Sequence, residues 1–272
     1  MKRRTSAVVV VCTLAAGLGA PAIAGAETAF AQTTADLVQP EAETVVSHAG
    51  SMWMKKANSV TGAYRIERRE DGRYLVLSAD FSTKKGPDLK VVLSPTSADK
   101  VKSKTALTGS VSLGLLTSNE GAQSFRIPDS VDLSGYTTVL IHCEKYSKLW
   151  GAAPLTEGEL LAHGSDWTKK TNKIAGAWEI ARTESGLILR LGSDFKTKKA
   201  PDLKLVLSRQ TVSGVSADTA LSNAVVIAPL ESPKGSQEYR IEGLADLSGF
   251  RSLLIHCQQY TKLWGAAPLS AR

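Results

Sequence analysis

The chain has 272 residues, with 33 lysines and arginines against 26 aspartates and glutamates, a formal net charge of +7, and only three cysteines. That length admits one large domain or two ordinary ones, each able to bury a core of its own. So mild a basic excess, part of it in the first four residues, argues against nucleic acid as a partner.

Residues 1–31 read as a secretory signal peptide. "MKRR" is a charged start, "SAVVVVCTLAAGLGA" an apolar run too short to span a membrane, and small-residue cleavage sites follow at "AGA" and "AFA". Val11 stands before Cys12 where a lipid-anchor signal needs a small residue, and the residues after Arg3 and Arg4 fit a twin-arginine signal poorly. Cleavage after Ala31 leaves no transmembrane anchor, so the expected location is secreted, extracellular or in the cell envelope. Residues 32–44, "QTTADLVQPEAET", lack aromatics and periodicity and read as a disordered spacer.

Beyond the spacer the chain repeats itself. Trp53 and Trp167, Phe81 and Phe195, Pro87 and Pro201, Cys143 and Cys257, and Trp150 and Trp264 all lie 114 positions apart. This period is far longer than a solenoid unit, so each copy is expected to be a complete domain, 45–155 and 161–272, joined by a short linker at 156–160.

Within each copy, short apolar runs alternate with turn signals. "AYRIERR" and "RYLVL" flank Asp71-Gly72, and "AWEIAR" and "LILRL" flank Ser185-Gly186, a hairpin signal in each. Next come "DLKVVLS" with "DLKLVLS", "SVSLGLL" with "AVVIAPL", and "QSFRIP" with "QEYRIE". With no convincing helix, the pattern predicts an all-β chain of two tandem β-sandwich domains.

The last strands are the most informative: "TTVLIHCEKYSKLWGAAPL" and "RSLLIHCQQYTKLWGAAPL". Strand alternation puts Val139, Ile141 and Cys143 on one face, and Leu140, His142 and Glu144 on the other, with the same division at Cys257 and His256. The cysteines thus lie on the apolar face, as core filler, as a ligand or redox centre, or as a cross-link between repeats or chains. The histidines read as surface or sheet-edge positions, and the divergent faces argue against His and Cys chelating one ion unless the strand bulges. Tyr146, Trp150, Tyr260 and Trp264 beside small residues either wall a flat cofactor or close one end of the core. His48 and His163 are out of register by one, and the second copy has no methionine, so a blue-copper set is not available twice.

Other motifs narrow the field. Without C-x-x-C-H, covalent c-type haem is excluded, and no C-x-x-C, H-E-x-x-H, Walker loop, dinucleotide fingerprint or nucleophile elbow is present. Asp80, Asp88, Asp194 and Asp202 read as turn caps rather than a cation site. The lysine pairs Lys55-Lys56, Lys84-Lys85, Lys169-Lys170 and Lys198-Lys199 recur in register, as a solvated surface or as a landing site for an anionic cell-envelope polymer, an acidic redox partner or anionic lipid.

An ordered series of motifs resembles the DM13 family, the electron-transfer DM13 domains, over nearly the whole of each copy. It comprises Gly62 or Gly176, Asp80-Phe81 or Asp194-Phe195, "GPDLKVVLS" or "APDLKLVLS", "FRIPDSVDLSGY" or "YRIEGLADLSGF", and the closing Ile-x-Cys strand with "WGAAPL". The resemblance implies a β-sandwich in an extracellular or surface protein, with the cysteine as hallmark of a redox or electron-transfer role and haem or a transition metal as the kind of cofactor. It points to a redox carrier rather than a catalyst. Two departures stand out: histidine precedes the cysteine where the family pattern has an aromatic, and Gly86 becomes Ala200. The expected function is therefore an exported redox protein with Cys143 and Cys257 as thiols or cofactor ligands. The alternative is a non-enzymatic module that binds the cell envelope or another protein, its cysteines buried in the core.

Overall fold

A computed structural model describes residues 45–269. The expected signal peptide and spacer lie outside these residues. The first repeat forms β1 (Val45–Gly50), β2 (Met54–Lys55), β3 (Val60–Thr61), β4 (Tyr64–Arg69), β5 (Gly72–Leu77), β6 (Ser82–Thr83), β7 (Leu89–Ser94), β8 (Val111–Leu115), β9 (Gln123–Ile127), β10 (Thr138–Cys143) and β11 (Lys148–Pro154). The second forms β12 (Glu159–Gly164), β13 (Thr168–Lys169), β14 (Ile174–Ala175), β15 (Trp178–Thr183), β16 (Gly186–Leu191), β17 (Lys196–Thr197), β18 (Leu203–Ser208), β19 (Val225–Pro229), β20 (Gln237–Ile241), β21 (Ser252–Cys257) and β22 (Lys262–Pro268). Among the described residues there is one 3₁₀ turn, Leu133–Gly135, capped by Asp132, which accepts the Ser134 N–H at 3.0 Å.

Each repeat is a two-layer sandwich, as the alternating apolar runs require. In the first, the sheet β1-β4-β5-β9 faces the sheet β2-β11-β10-β7-β8, with the ribbon β3-β6 closing one side. In the second, β12-β15-β16-β20 faces β13-β22-β21-β18-β19, with β14-β17 as the ribbon. Ile66, Leu75, Phe81, Val91, Val139, Ile141 and Cys143 meet between the layers of the first domain. Each large side chain so buried contributes about 1.5–3 kcal/mol. Both expected hairpins form, one residue earlier than the glycine signal suggests. Arg69 pairs with Gly72, so Glu70 and Asp71 turn the chain while Gly72, at φ 145°, takes the positive φ.

The outer face of the five-stranded sheet is covered too. The β7–β8 connection folds back over it, and Ala98, Val101 and Ala106 pack on Val92, Leu140, Leu149 and Ala152. In the second domain Val215 and Ala220 pack on Val206, Leu254, Leu263 and Ala266. This second core corrects the reading of His142 and His256 as surface or edge residues: they are 2 % and 1 % exposed. The covering segment is mostly polar and carries too few apolar residues to announce itself as a core element.

The described residues fall in one compact unit, so the two sandwiches are docked. Much of the expected 156–160 linker is structured. The Ala49 N–H donates to Thr156 O at 3.0 Å and the Gly158 N–H to Ser47 O at 3.0 Å, which adds the linker to the edge of β1, and β12 begins at Glu159. A buried carboxylate completes the joint. Glu179 Oε2 accepts the Ser51 N–H at 2.8 Å and its hydroxyl at 3.1 Å, while Oε1 lies 3.4 Å from Arg190 Nη1. Arg190 Nε in turn reaches Glu238 Oε2 at 2.7 Å. The register Glu179↔Arg190↔Glu238 runs straight across β15, β16 and β20. Arg65, Val76 and Ser124 stand at the corresponding positions of the first repeat, so the charge ladder belongs only to the domain that is covered there. Met52 and Met54 line a 280 Å³ cavity at this joint with Glu179 and Arg190, a use of methionine that fits an irregular gap.

Candidate functional site

The site grows from a β-bulge. In the pairing of β10 with β11, Ile141 faces Gly151 but His142 faces Leu149, which leaves Trp150 as the extra residue. Strict alternation places Trp150 on the outer face. The bulge turns its indole inward instead, into the core cluster that holds Cys143. Glycine is needed at 151 because a Cβ there would stand 2.6 Å from Val60 Cγ2. Trp264 and Gly265 repeat this arrangement against Ile174.

Trp150 and Cys143 hold the same loop, residues 84–88. The indole Nε1–H donates to Lys84 O at 3.1 Å, and the Cys143 thiol donates to Pro87 O at 3.0 Å. The Glu144 N–H adds a third tie, to Asp88 O at 3.0 Å, and Asp88 adopts φ 56°. In the second domain Trp264 ties Lys198 O at 3.3 Å, Cys257 ties Pro201 O at 3.1 Å, and the Gln258 N–H ties Asp202 O at 3.1 Å with φ 54°. Asp88 and Asp202 thus occupy left-handed turn positions, and the Asp202 carboxylate reaches Lys204 Nζ at 2.8 Å. Gly86 lies against the indole, where a Cβ would come within 2.8 Å of Trp150 Cζ2. Ala200 occupies that place in the second domain, where the tryptophan bond is the longer of the two.

Both cysteines are free and fully buried. Each sulfur is engaged with a proline carbonyl and shielded from any external reactant, and reactivity at a cysteine requires access to its sulfur. Pro87 and Pro201, whose carbonyls accept these bonds, are exposed, so each sulfur lies one residue beneath solvent. A 670 Å³ cavity outside the loop is walled by Lys85, Gly86, Pro87, Leu89 and residues 116–119, and not by Cys143. Neither thiol reaches a partner thiol from this position.

The other expected residues separate. His142 sits across the strand from the thiol, and neither of its ring nitrogens has a partner among the described residues. The His256 Nε2–H donates to Ala217 O at 3.3 Å, and Nδ1 is left unpartnered. Burial holds both below the usual imidazole range. Glu144 pulls His142 back up and Lys90 pushes it further down, while the Ala217 carbonyl opposes the shift of His256. Tyr146 and Tyr260, expected beside the cysteines, stand at the hairpin tips and are 57 % and 58 % exposed. The four residues between Cys143 and Lys148 form the turn and carry the ring away from the core.

Thiolate ligation of haem or a transition metal does not fit this arrangement. Cys143 and Cys257 are committed to carbonyls inside a packed core, and His142 and His256 face the opposite way. Among the described residues no three His, Cys, Asp or Glu side chains are placed to hold a metal ion. The lysine pairs also divide. Lys55 and Lys84 line one 410 Å³ cavity, whereas Lys56 Nζ turns to Asp99 O and Lys170 Nζ to Val215 O, each at 3.4 Å. Lys85, Lys169, Lys198 and Lys199 are exposed.

Neither the loop clamp nor the bulge at Trp150 is legible in the residues. Their one visible trace is that Pro87 and Pro201 each precede a cysteine by 56 positions. Two sandwiches, each with one buried thiol fastening a surface loop through a proline carbonyl, define a tandem cysteine-clamped β-sandwich protein. The family model for electron transfer DM13 matches residues 53–155 and again 167–269, and the chain belongs to that family. No curated protein and no solved structure matches it.

Proposed function

We propose that each domain is a redox module of an exported protein, with Cys143 and Cys257 as the redox-sensitive groups and the loops 84–88 and 198–202 as their gates. The supporting observation is the double tie of Cys143 and Trp150 to one exposed loop, repeated in the second domain. Closed, the loop covers the thiol and holds it on a proline carbonyl. Lifting it breaks the bond to Pro87 O and gives solvent and reagents access to the sulfur. The membership in an electron-transfer family supports a redox role, and the N-terminal pattern of residues 1–31 supports export. Labelling with a disulfide reagent tests the gate. Cys143, measured in a Cys257→Ser background, should react slowly in the folded protein and severalfold faster once Trp150→Phe removes one tie. Equal rates in both proteins, matching the rate of global unfolding, would rule the gate out.

The complete burial of both sulfurs favours a second reading, a non-enzymatic module that binds an anionic cell-envelope polymer through its lysines, with the cysteines as core residues. It requires binding that weakens with salt.

A further inference from the structure

We propose that the outward face of the β14–β17 ribbon in the second domain is a binding surface for a phosphate-bearing polyanion. The proposal rests on the binding reading above and names the domain, the residues and the ligand chemistry. Ala175 pairs with Lys196, Ile174 pairs with Thr197, and Lys196 is bridged in turn to Lys234. Continuing the same register one step places Lys173 opposite Lys198. Ile174 is buried, so the alternate positions point outward, and Lys173, Lys196, Lys198 and Lys234 are all exposed. Four ammonium groups therefore share one small face, in two cross-strand pairs.

Like charges directly opposite each other on paired strands destabilise the pairing. None of the four lysines forms an ion pair among the described residues, and Asp194, the acidic residue nearest Lys196 along the chain, is turned to the Ala177 N–H at 3.0 Å. The first domain is built otherwise at the same places: Ser59, Ser82 and Glu120 stand where the second has Lys173, Lys196 and Lys234, and only Lys84 matches Lys198. A bound polyanion offsets the repulsion that the ribbon itself leaves uncompensated.

The chemistry of the face selects the partner. Adjacent strands stand about 4.8 Å apart and alternate residues of one strand about 6.6 Å apart, a grid on which successive phosphates of a linear polymer each meet one or two ammonium groups. Lysine binds phosphate as a point charge, and these four positions offer no guanidinium fork for carboxylates and no aromatic ring on which a base or sugar stacks.

The test uses inorganic polyphosphate as probe, with polyglutamate for comparison, on the chain covering both domains. Lys196→Ser with Lys234→Glu, which installs the first domain's residues, should weaken polyphosphate binding by about tenfold or more. Lys55→Ser with Lys84→Ser in the first domain should change it little. Because the double replacement turns a like-charge pair into neutral and acidic neighbours, its melting temperature should not fall, which separates lost binding from lost fold. Binding that survives the second-domain replacements, or that prefers polyglutamate, overturns this assignment while leaving an anionic partner in place. If neither polymer binds, both the assignment and the binding reading fail.

Discussion

The backbone N–H of Ser51, in the first repeat, donates to the buried carboxylate of Glu179, in the second, at 2.8 Å. One side chain thereby accepts a hydrogen bond from the neighbouring domain and faces Arg190 of its own. Glu179→Ala should remove the acceptor of Ser51 and leave Arg190 with Glu238 alone, at a cost of about 3 kcal/mol, the low end for breaking a buried pair. In denaturant the two domains should then unfold in separate transitions rather than together, which fluorescence of the tryptophans in each repeat would register.

The same group has a pH signature. Burial raises the Glu179 carboxyl above its usual range, against the opposing pull of the Ser51 N–H and Arg190. A carboxyl raised in the folded state favours folding most where it is protonated in both states, and this contribution is lost as pH rises through its folded value. Glu179→Gln keeps an oxygen for Ser51 and removes the titration. Its stability should fall less than that of the parent as pH rises from 4 towards neutrality, as measured by urea midpoints.

His142 and His256 act in the opposite direction. Their folded values lie below 6.5, so stability is full above that pH and declines as pH drops through 6.5 towards the folded values, because only the unfolded chain takes up the proton. Leucine at either position removes a buried polar ring that lacks a full set of partners. His142→Leu should stabilise the protein by about 1 kcal/mol at neutral pH and flatten the decline in stability below pH 6.5.

The clamp can be taken apart one tie at a time. Cys143→Ala removes a buried sulfur and the bond to Pro87 O and should cost about 1–3 kcal/mol, while Trp150→Phe, which keeps a smaller aromatic ring but loses the donor to Lys84 O and leaves a gap in the core, should cost about 2–3 kcal/mol. Tyr146→Ala, at an exposed hairpin tip, should stay within about 0.5 kcal/mol. Thermal or chemical denaturation ranks the three, and a Tyr146 effect as large as that of Cys143 would contradict the placement of the ring.

Gly86→Ala tests the difference between the two loops. The added methyl meets the Trp150 ring, so the first domain should lose about 1 kcal/mol, and a larger loss is not expected because the second domain accommodates Ala200 at the same place. Hydrogen exchange of the loop amides at 84–88 should quicken to the rate of the second domain's loop.

Local pattern and repetition carried most of the architecture. The constant offset between the copies, the two-residue alternation in "TVLIHC" and "SLLIHC", and the turn residues between runs determined a pair of β-sandwiches and put Cys143 and Cys257 on the apolar face, because strand geometry converts odd and even positions into opposite sides. The ordered motifs determined the family. Tertiary structure alone decided what surrounds those positions. A segment that reads as polar folds over the outer face and buries His142, because three small apolar residues suffice once a sheet is there to receive them. A one-residue bulge reverses the alternation just before "GAAP" and swings Trp150 onto the loop that Cys143 holds. Glu179, read along the chain, is an ordinary strand glutamate. It becomes the buried acceptor of Ser51 because two residues 128 positions apart in sequence come together, and no period in the chain encodes a contact made only by docking.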